Sequence, residues 1–174
     1  AAAILPQTIF SSEAKKRVKL GFIGTGLRGQ WMLWLAAKYP DVDIAAICDI
    51  DNRMIADALK IIKDGGKPEP HIYKNGDEDF LNMLNNEELD GVYIATPWEW
   101  HHPMSVAAMK SGKHVGTEVP AALTVEDCWD LVETSEKTGK LCMIMENVCY
   151  RRDIMAILNM VRQNMFGEIL HCQG

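Results

Sequence analysis

Three glycines, Gly24, Gly26 and Gly29, punctuate the run Gly24-Thr25-Gly26-Leu27-Arg28-Gly29, which follows directly on an apolar segment starting at Arg17. Each has a mechanical reason. The first permits a tight turn, the second lets a pyrophosphate approach the backbone, and the third lets the following helix pack close to its strand. A helix opening near Arg28 aims free backbone N–H groups and the positive end of its dipole at a phosphate. Twenty positions past Gly29, Asp49 closes a second apolar run, Ile44 to Cys48. An acid there accepts hydrogen bonds from ribose hydroxyls and repels a 2′-phosphate, which favours NAD over NADP. Two alternatives stay open: Asp49 and Asp51 also suit the cap of a helix starting near Asn52, and Arg53 could soften the discrimination against NADP.

Further candidates sit where strands should end. Ala95-Thr96-Pro97 leads into Trp98, Glu99, Trp100 and His101. The tryptophans offer flat apolar walls for a ring or ribose face, and Glu99 and His101 offer polar handles. The plainer reading is that Trp98 and Trp100 cover a helix end while His101 caps it. Glu118 and Val119 follow the next apolar run, and Asn147 and Tyr150 the one after. Glu118 also suits a cap or a surface acid, Asn147 a turn, and Tyr150 either a phenol offered to substrate or an anchor for later structure.

These residues need a scaffold, and the hydrophobic periodicity supplies it. Strand-like runs at 17–23, 44–48, 71–73, 91–95, 114–118 and 141–145 alternate with helical patterns at about 28–38, 52–63, 77–84, 102–111 and 124–137. That alternation predicts an α/β fold, a Rossmann-type doubly wound parallel sheet of six strands spanning 17–150. The stretch 151–174 reads as the start of an α+β second domain. Asp153 is placed to cap a helix carrying Ile154, Ile157, Leu158 and Val161, Gly167 to stop it, and Glu168–Gln173 to begin a strand.

Composition excludes several classes. A net charge of −6 argues against a nucleic-acid groove or an anionic membrane partner. No apolar run is long enough to span a bilayer. Five cysteines without a C-x-x-C pair fit neither a disulfide framework nor a metal site. Residues 1–16 read either as the remnant of an export signal, making the protein periplasmic or secreted, or as an ordinary leader on a cytoplasmic one.

Together, GFIGTGLRGQ, TPWEWHHPM, GKHVGTEVPAA and the stretch from Met145 to Gly174 resemble the Gfo/Idh/MocA oxidoreductase superfamily and, within it, glycoside hydrolase family 109. That family is known for NAD-dependent α-N-acetylgalactosaminidases. The resemblance implies NAD contacts at Leu27 and Arg28, Asp49, Trp98 to His101, Glu118 with Val119, and Asn147. It implies a redox-neutral glycosidase with a carbohydrate substrate, and a homo-oligomer formed through a C-terminal sheet. The superfamily's ordinary dehydrogenases carry Glu-Lys-Pro where this chain has Glu118-Val119-Pro120, a departure that sets simple net dehydrogenation against the glycosidase reading. A sugar dehydrogenase and a non-catalytic nucleotide-binding module are the alternatives. Tyr150 is the candidate catalytic residue.

Overall fold

The computed structural model describes residues 17–173; the expectation of an export-signal remnant or leader at 1–16 falls outside them. Six strands form one sheet: β1 Val18–Ile23, β2 Val42–Cys48, β3 His71–Tyr73, β4 Gly91–Ile94, β5 His114–Thr117 and β6 Cys142–Ile144. Their order is β3-β2-β1-β4-β5-β6, and every neighbouring pair is parallel. Six helices connect or follow them: α1 Leu27–Ala37, α2 Asn52–Asp64, α3 Asp79–Asn86, α4 Trp98–Lys110, α5 Val125–Thr138 and α6 Arg152–Arg162. A parallel sheet hides both faces, which is why β1 and β4 read as unbroken apolar runs rather than alternating ones.

Successive residues of one strand feed two cores. Phe22 and Tyr93 join Leu33, Ile44, Ile47, Ile55 and Ile62 on the side of α1 and α2. Ile23, Val92 and Ile94 join Phe80, Met83, Leu84, Met104 and Met109 on the side of α3 and α4. The chain changes side between β1 and β4, whose ends pair Ile23 with Ile94. Above that pair lies the topological switch point, where ligands of such sheets bind.

On the α1 side, the sheet beyond β1 is open. A groove of about 430 Å³ runs over Phe22, Tyr93, Gly116, Met143 and Met145 and along the flank of α1 at Met32 and Leu35. The outer face of α1 is apolar too: Trp31 and Trp34 stack with ring centroids 4.9 Å apart, and Lys38 Nζ lies 3.1 Å above the Trp34 ring.

Four expectations need correction. The fourth helix starts at Trp98, not His102, so the Trp98–His101 segment is a helical first turn rather than a loop. Pro103 is the sixth residue of α4, past its first turn, and there its ring gives up the helical N–H that would bond Glu99 O. Asp153 does not cap α6: no side chain does, and Asp153 sits in the first turn, ion-paired to Arg151 at 2.6 Å. The helix stops at Arg162, ahead of Gly167, where the chain turns through Asn164 at φ 56°. Residues 168–173 form no strand, because a strand exists only through a hydrogen-bonded neighbour and none of the described residues supplies one.

Candidate functional site

The glycine loop leaves β1 with Gly24 at φ 87°, a conformation closed to most side chains, and with Gly24 N–H bonded to Cys48 O. A Cβ on Gly24 would sit 2.6 Å from Ala95 O, and one on Gly29 only 2.1 Å from Gly24 O. Those two glycines therefore let the loop, α1 and β4 close on one another. Gly26 differs: a Cβ there meets nothing within 4 Å. It faces open space directly before α1, whose first turn carries no side-chain cap and no acid. The backbone N–H groups of Leu27 and Arg28 are left to serve an external anion.

Asp49 stands beside this loop and is held by it. Its Oδ2 accepts from Thr25 N at 2.6 Å and from Thr25 Oγ1 at 3.0 Å, and its Oδ1 accepts from Asp51 N at 2.9 Å. Thr25 is fully buried, so the carboxylate is anchored on one edge. The same acid closes a cleft of about 120 Å³ lined by Gly24, Cys48, Asp49, Ile50, Asp77, Thr96, Pro97, Trp100 and Met104. The cleft brings the glycine loop, the acid and Trp100 together at the strands' carboxyl ends. Burial, with Asp79 and Asp49 nearby, pushes the Cys48 thiol up to about 12, so it lines the cleft as an inert apolar wall. A larger hollow of about 490 Å³ is lined by Lys60, Lys63 and Lys67. Lys67 bonds the carbonyls of Tyr39 and Val42, which puts that hollow at the opposite, amino end of the strands.

A second constellation gathers at the end of β5. Glu118 is only 8 % exposed. Its Oε1 accepts from Arg28 Nε at 2.7 Å and from the buried Tyr93 hydroxyl. Burial and the adjoining Glu118 carboxylate push the Tyr93 phenol well above its usual range, so it remains a donor. One carboxylate oxygen is thus committed to protein, and the triad ties the first turn of α1 to β4 and β5. Val119, next along, is 45 % exposed.

The remaining candidates are dispersed around these two centres. His101 is buried, with Nδ1 2.7 Å from Pro120 O and Nε2 2.8 Å from Thr96 O, so its ring braces the β4 end against the β5 loop. Trp98 and Glu99 are exposed on the first turn of α4. Asn147 and Tyr150 are exposed at either end of the short 3₁₀ segment that follows β6.

The Gfo/Idh/MocA family, described as an oxidoreductase family with an NAD-binding Rossmann fold, matches residues 18–146. The chain belongs to that family. The glycosyl hydrolase 109 C-terminal domain matches residues 150–174. A glycosyl hydrolase family 109 protein of Parabacteroides distasonis is 58 % identical over 156 residues, covering 89 % of this chain and 34 % of the relative. An α-N-acetylgalactosaminidase of Tannerella forsythia is 54 % identical over 155 residues, covering 88 % of this chain and 33 % of the relative. This Gfo/Idh/MocA chain therefore spans about a third of the length of the curated relatives it matches. Among solved structures, scyllo-inositol dehydrogenase of Lactobacillus casei with bound NAD(H) and scyllo-inositol has a TM-score of 0.76 at 22 % identity, covering 88 % of this chain and 43 % of that one. That likeness is one of fold.

NAD is the family's cofactor, and the residues present suit it: a glycine cradle whose middle member faces open space, uncapped helical N–H groups beside it, and an anchored acid one strand away. The sequence reading missed two of the site's supports, Thr25 and Tyr93. Tyr93 did carry a signal, because a phenol inside a wholly buried strand needs a hydrogen-bond partner. Thr25 carried none, being a variable position of the glycine motif.

Proposed function

We propose that this chain is the nucleotide-binding portion of a glycosidase that works through a redox-neutral, NAD-using cycle on α-N-acetylgalactosaminides. The observation that carries the reading is Val119. It presents an aliphatic side chain beside Glu118, where the superfamily's dehydrogenases hold a lysine next to the reacting alcohol. Such a site lacks the proton carrier of simple alcohol oxidation at that place. The 54 % identity to an α-N-acetylgalactosaminidase supports the substrate class.

When bound, NAD supplies a hydride acceptor that is restored within each turnover, so that C3 oxidation of the sugar, elimination at C1, addition of water and reduction at C3 sum to hydrolysis. This chain's own residues bind and orient. The Leu27 and Arg28 N–H groups receive the pyrophosphate, and Asp49 accepts from the adenosine ribose. Glu118 keeps Oε1 for Arg28 and Tyr93 and offers Oε2 to the nicotinamide half. Tyr150, exposed at the end of the short 3₁₀ segment that follows β6, is the group proposed to hold a proton near the substrate.

The test is an aryl α-N-acetylgalactosaminide assayed with the intact protein. Phenol release without accumulation of NADH is the expected result. NADH that grows in step with turnover would replace the glycosidase with a sugar dehydrogenase. Binding of NAD with neither activity would leave a nucleotide-binding module.

A further inference from the structure

The loop that carries Asp49 also carries a cation, and that cation is occupied. Arg53, in the first turn of α2, is largely exposed, yet its guanidinium is not free. Nη2 lies 2.8 Å from Asp51 Oδ2, and Nε lies 3.2 Å from Asp51 Oδ1. Asp51 is itself fixed at both ends. Its Oδ1 accepts from Arg53 N at 2.8 Å as the cap of α2, and its own N–H donates to Asp49 Oδ1 at 2.9 Å. Asp49, Asp51 and Arg53 thus form one connected unit, two acids and one base, at the end of β2.

An arginine near the ribose-reading acid is the usual device by which a dinucleotide fold accepts a 2′-phosphate. It does so through the same planar fork that pairs with a carboxylate, and here that fork is filled from within the loop. The neighbouring cation, Lys74, is turned to Asn52 Oδ1 at 3.3 Å. The guanidinium and the helix N–H groups hold the Asp51 carboxyl down to about 2, so it is ionised throughout the working pH range.

We infer that Asp51 is a positioning residue for cofactor choice: by occupying the Arg53 fork it withholds a guanidinium placed to receive a 2′-phosphate, and with Asp49 it sets the preference for NAD over NADP. The inference rests on the nucleotide site described above and not on the glycosidase reaction.

The experiment measures NAD⁺ and NADP⁺ affinities by titration calorimetry on cofactor-stripped intact protein, for the unaltered chain, Asp51→Ser, Arg53→Ala and the double variant. Serine keeps an oxygen for the α2 cap, and circular dichroism checks that the helix survives. Asp51→Ser is expected to raise NADP⁺ affinity about fivefold, the upper end for release of an exposed ion pair, with NAD⁺ affinity unmoved. Arg53→Ala alone should change neither, and in the double variant the gain should vanish. A purely structural role for Asp51 would lower both affinities together. No gain for NADP⁺ while NAD⁺ still binds overturns the inference, as does a gain that persists without Arg53. A loss of NADP⁺ affinity in Arg53→Ala alone would mean the arginine was never withheld, and overturns it equally. An unaltered chain that binds neither nucleotide removes the site itself, and the inference with it.

Discussion

Glu118 and Asp49 are both acids at strand ends, but their surroundings give them different work. Glu118 is buried, and its stability depends on two donors, Arg28 and the Tyr93 hydroxyl. Tyr93→Phe keeps the ring contact with Phe22, whose centroid lies 5.6 Å away, and deletes only the donor. The expected cost is about 1–3 kcal/mol, the range for a buried acceptor losing a partner, read from the denaturant midpoint. An unmoved midpoint would show that Arg28 alone satisfies the carboxylate. Asp49 is half-exposed and anchored from one side by Thr25. Asp49→Ala should weaken NAD about tenfold or more, as expected for lost hydrogen bonds to a charged group. NADP should weaken much less, because removing the charge also relieves its repulsion. Equal losses for the two nucleotides, measured by titration, would remove ribose recognition from this residue.

At the scale of elements, the glycines of the β1–α1 turn separate folding from binding. Gly29→Ala drives a methyl onto the carbonyl of Gly24 and should cost about 1–3 kcal/mol as the turn and α1 are forced apart. Gly26→Ala meets no protein atom and sits at φ −64°, ψ −170°, so stability should hold while NAD affinity falls. Thermal denaturation paired with NAD titration distinguishes the two, and reversal of the pattern would misplace the cradle. The start of α3 provides a pH test. Asp79, buried, accepts from Asn82 Nδ2 at 2.7 Å and from Asn75 N at 2.8 Å, and these bonds, the Asn82 one foremost, hold its carboxyl below the usual range. A depressed folded-state value means its contribution is complete above the unfolded pKa of about 3.9 and is lost as pH falls through the folded one. The stability gap between the unaltered chain and Asp79→Asn should therefore narrow from pH 6 to pH 3; a constant gap would show that the charge contributes nothing. Strands and most helices were legible because each carries its own period and stop, as in α5, where Thr124 Oγ1 accepts from Asp127 N and Gly139 ends the helix at φ 66°. What failed to show lies where the local rule is overruled. The helical pattern placed the start of α4 near His102 although the helix begins at Trp98, and the apolar run from Glu168 suggested a strand although pairing is not a local property. The site divided in the same way. The glycine spacing and Asp49 announce themselves, whereas the Glu118–Tyr93 and Asp49–Thr25 contacts join residues 25 and 24 positions apart and exist only once the sheet has formed.

Over the whole molecule, the sheet converts these separate contacts into one linked equilibrium. The glycine loop comes from β1, Asp49 from β2, Thr96 and Trp100 from the end of β4, and Glu118 from β5, so a dinucleotide held as proposed across the carboxyl ends would touch four strands that the chain joins through helices. Such a ligand binds only the assembled sheet, since the unfolded chain keeps a glycine run but no cleft. Binding must then add to folding stability as RT ln(1 + [L]/Kd), about 2.7 kcal/mol at a hundredfold excess over Kd. The expected observation is a denaturation midpoint that climbs with the logarithm of NAD concentration. NADP should need a higher concentration for the same rise, in proportion to its weaker affinity. Asp49→Ala should flatten the NAD curve towards the NADP one, and Gly26→Ala should shift both to higher concentration while leaving the ligand-free midpoint in place. A midpoint indifferent to NAD, in a chain whose sheet is intact by circular dichroism, would mean that the strand ends do not hold the dinucleotide. The functional reading built on them would then fall at its first step.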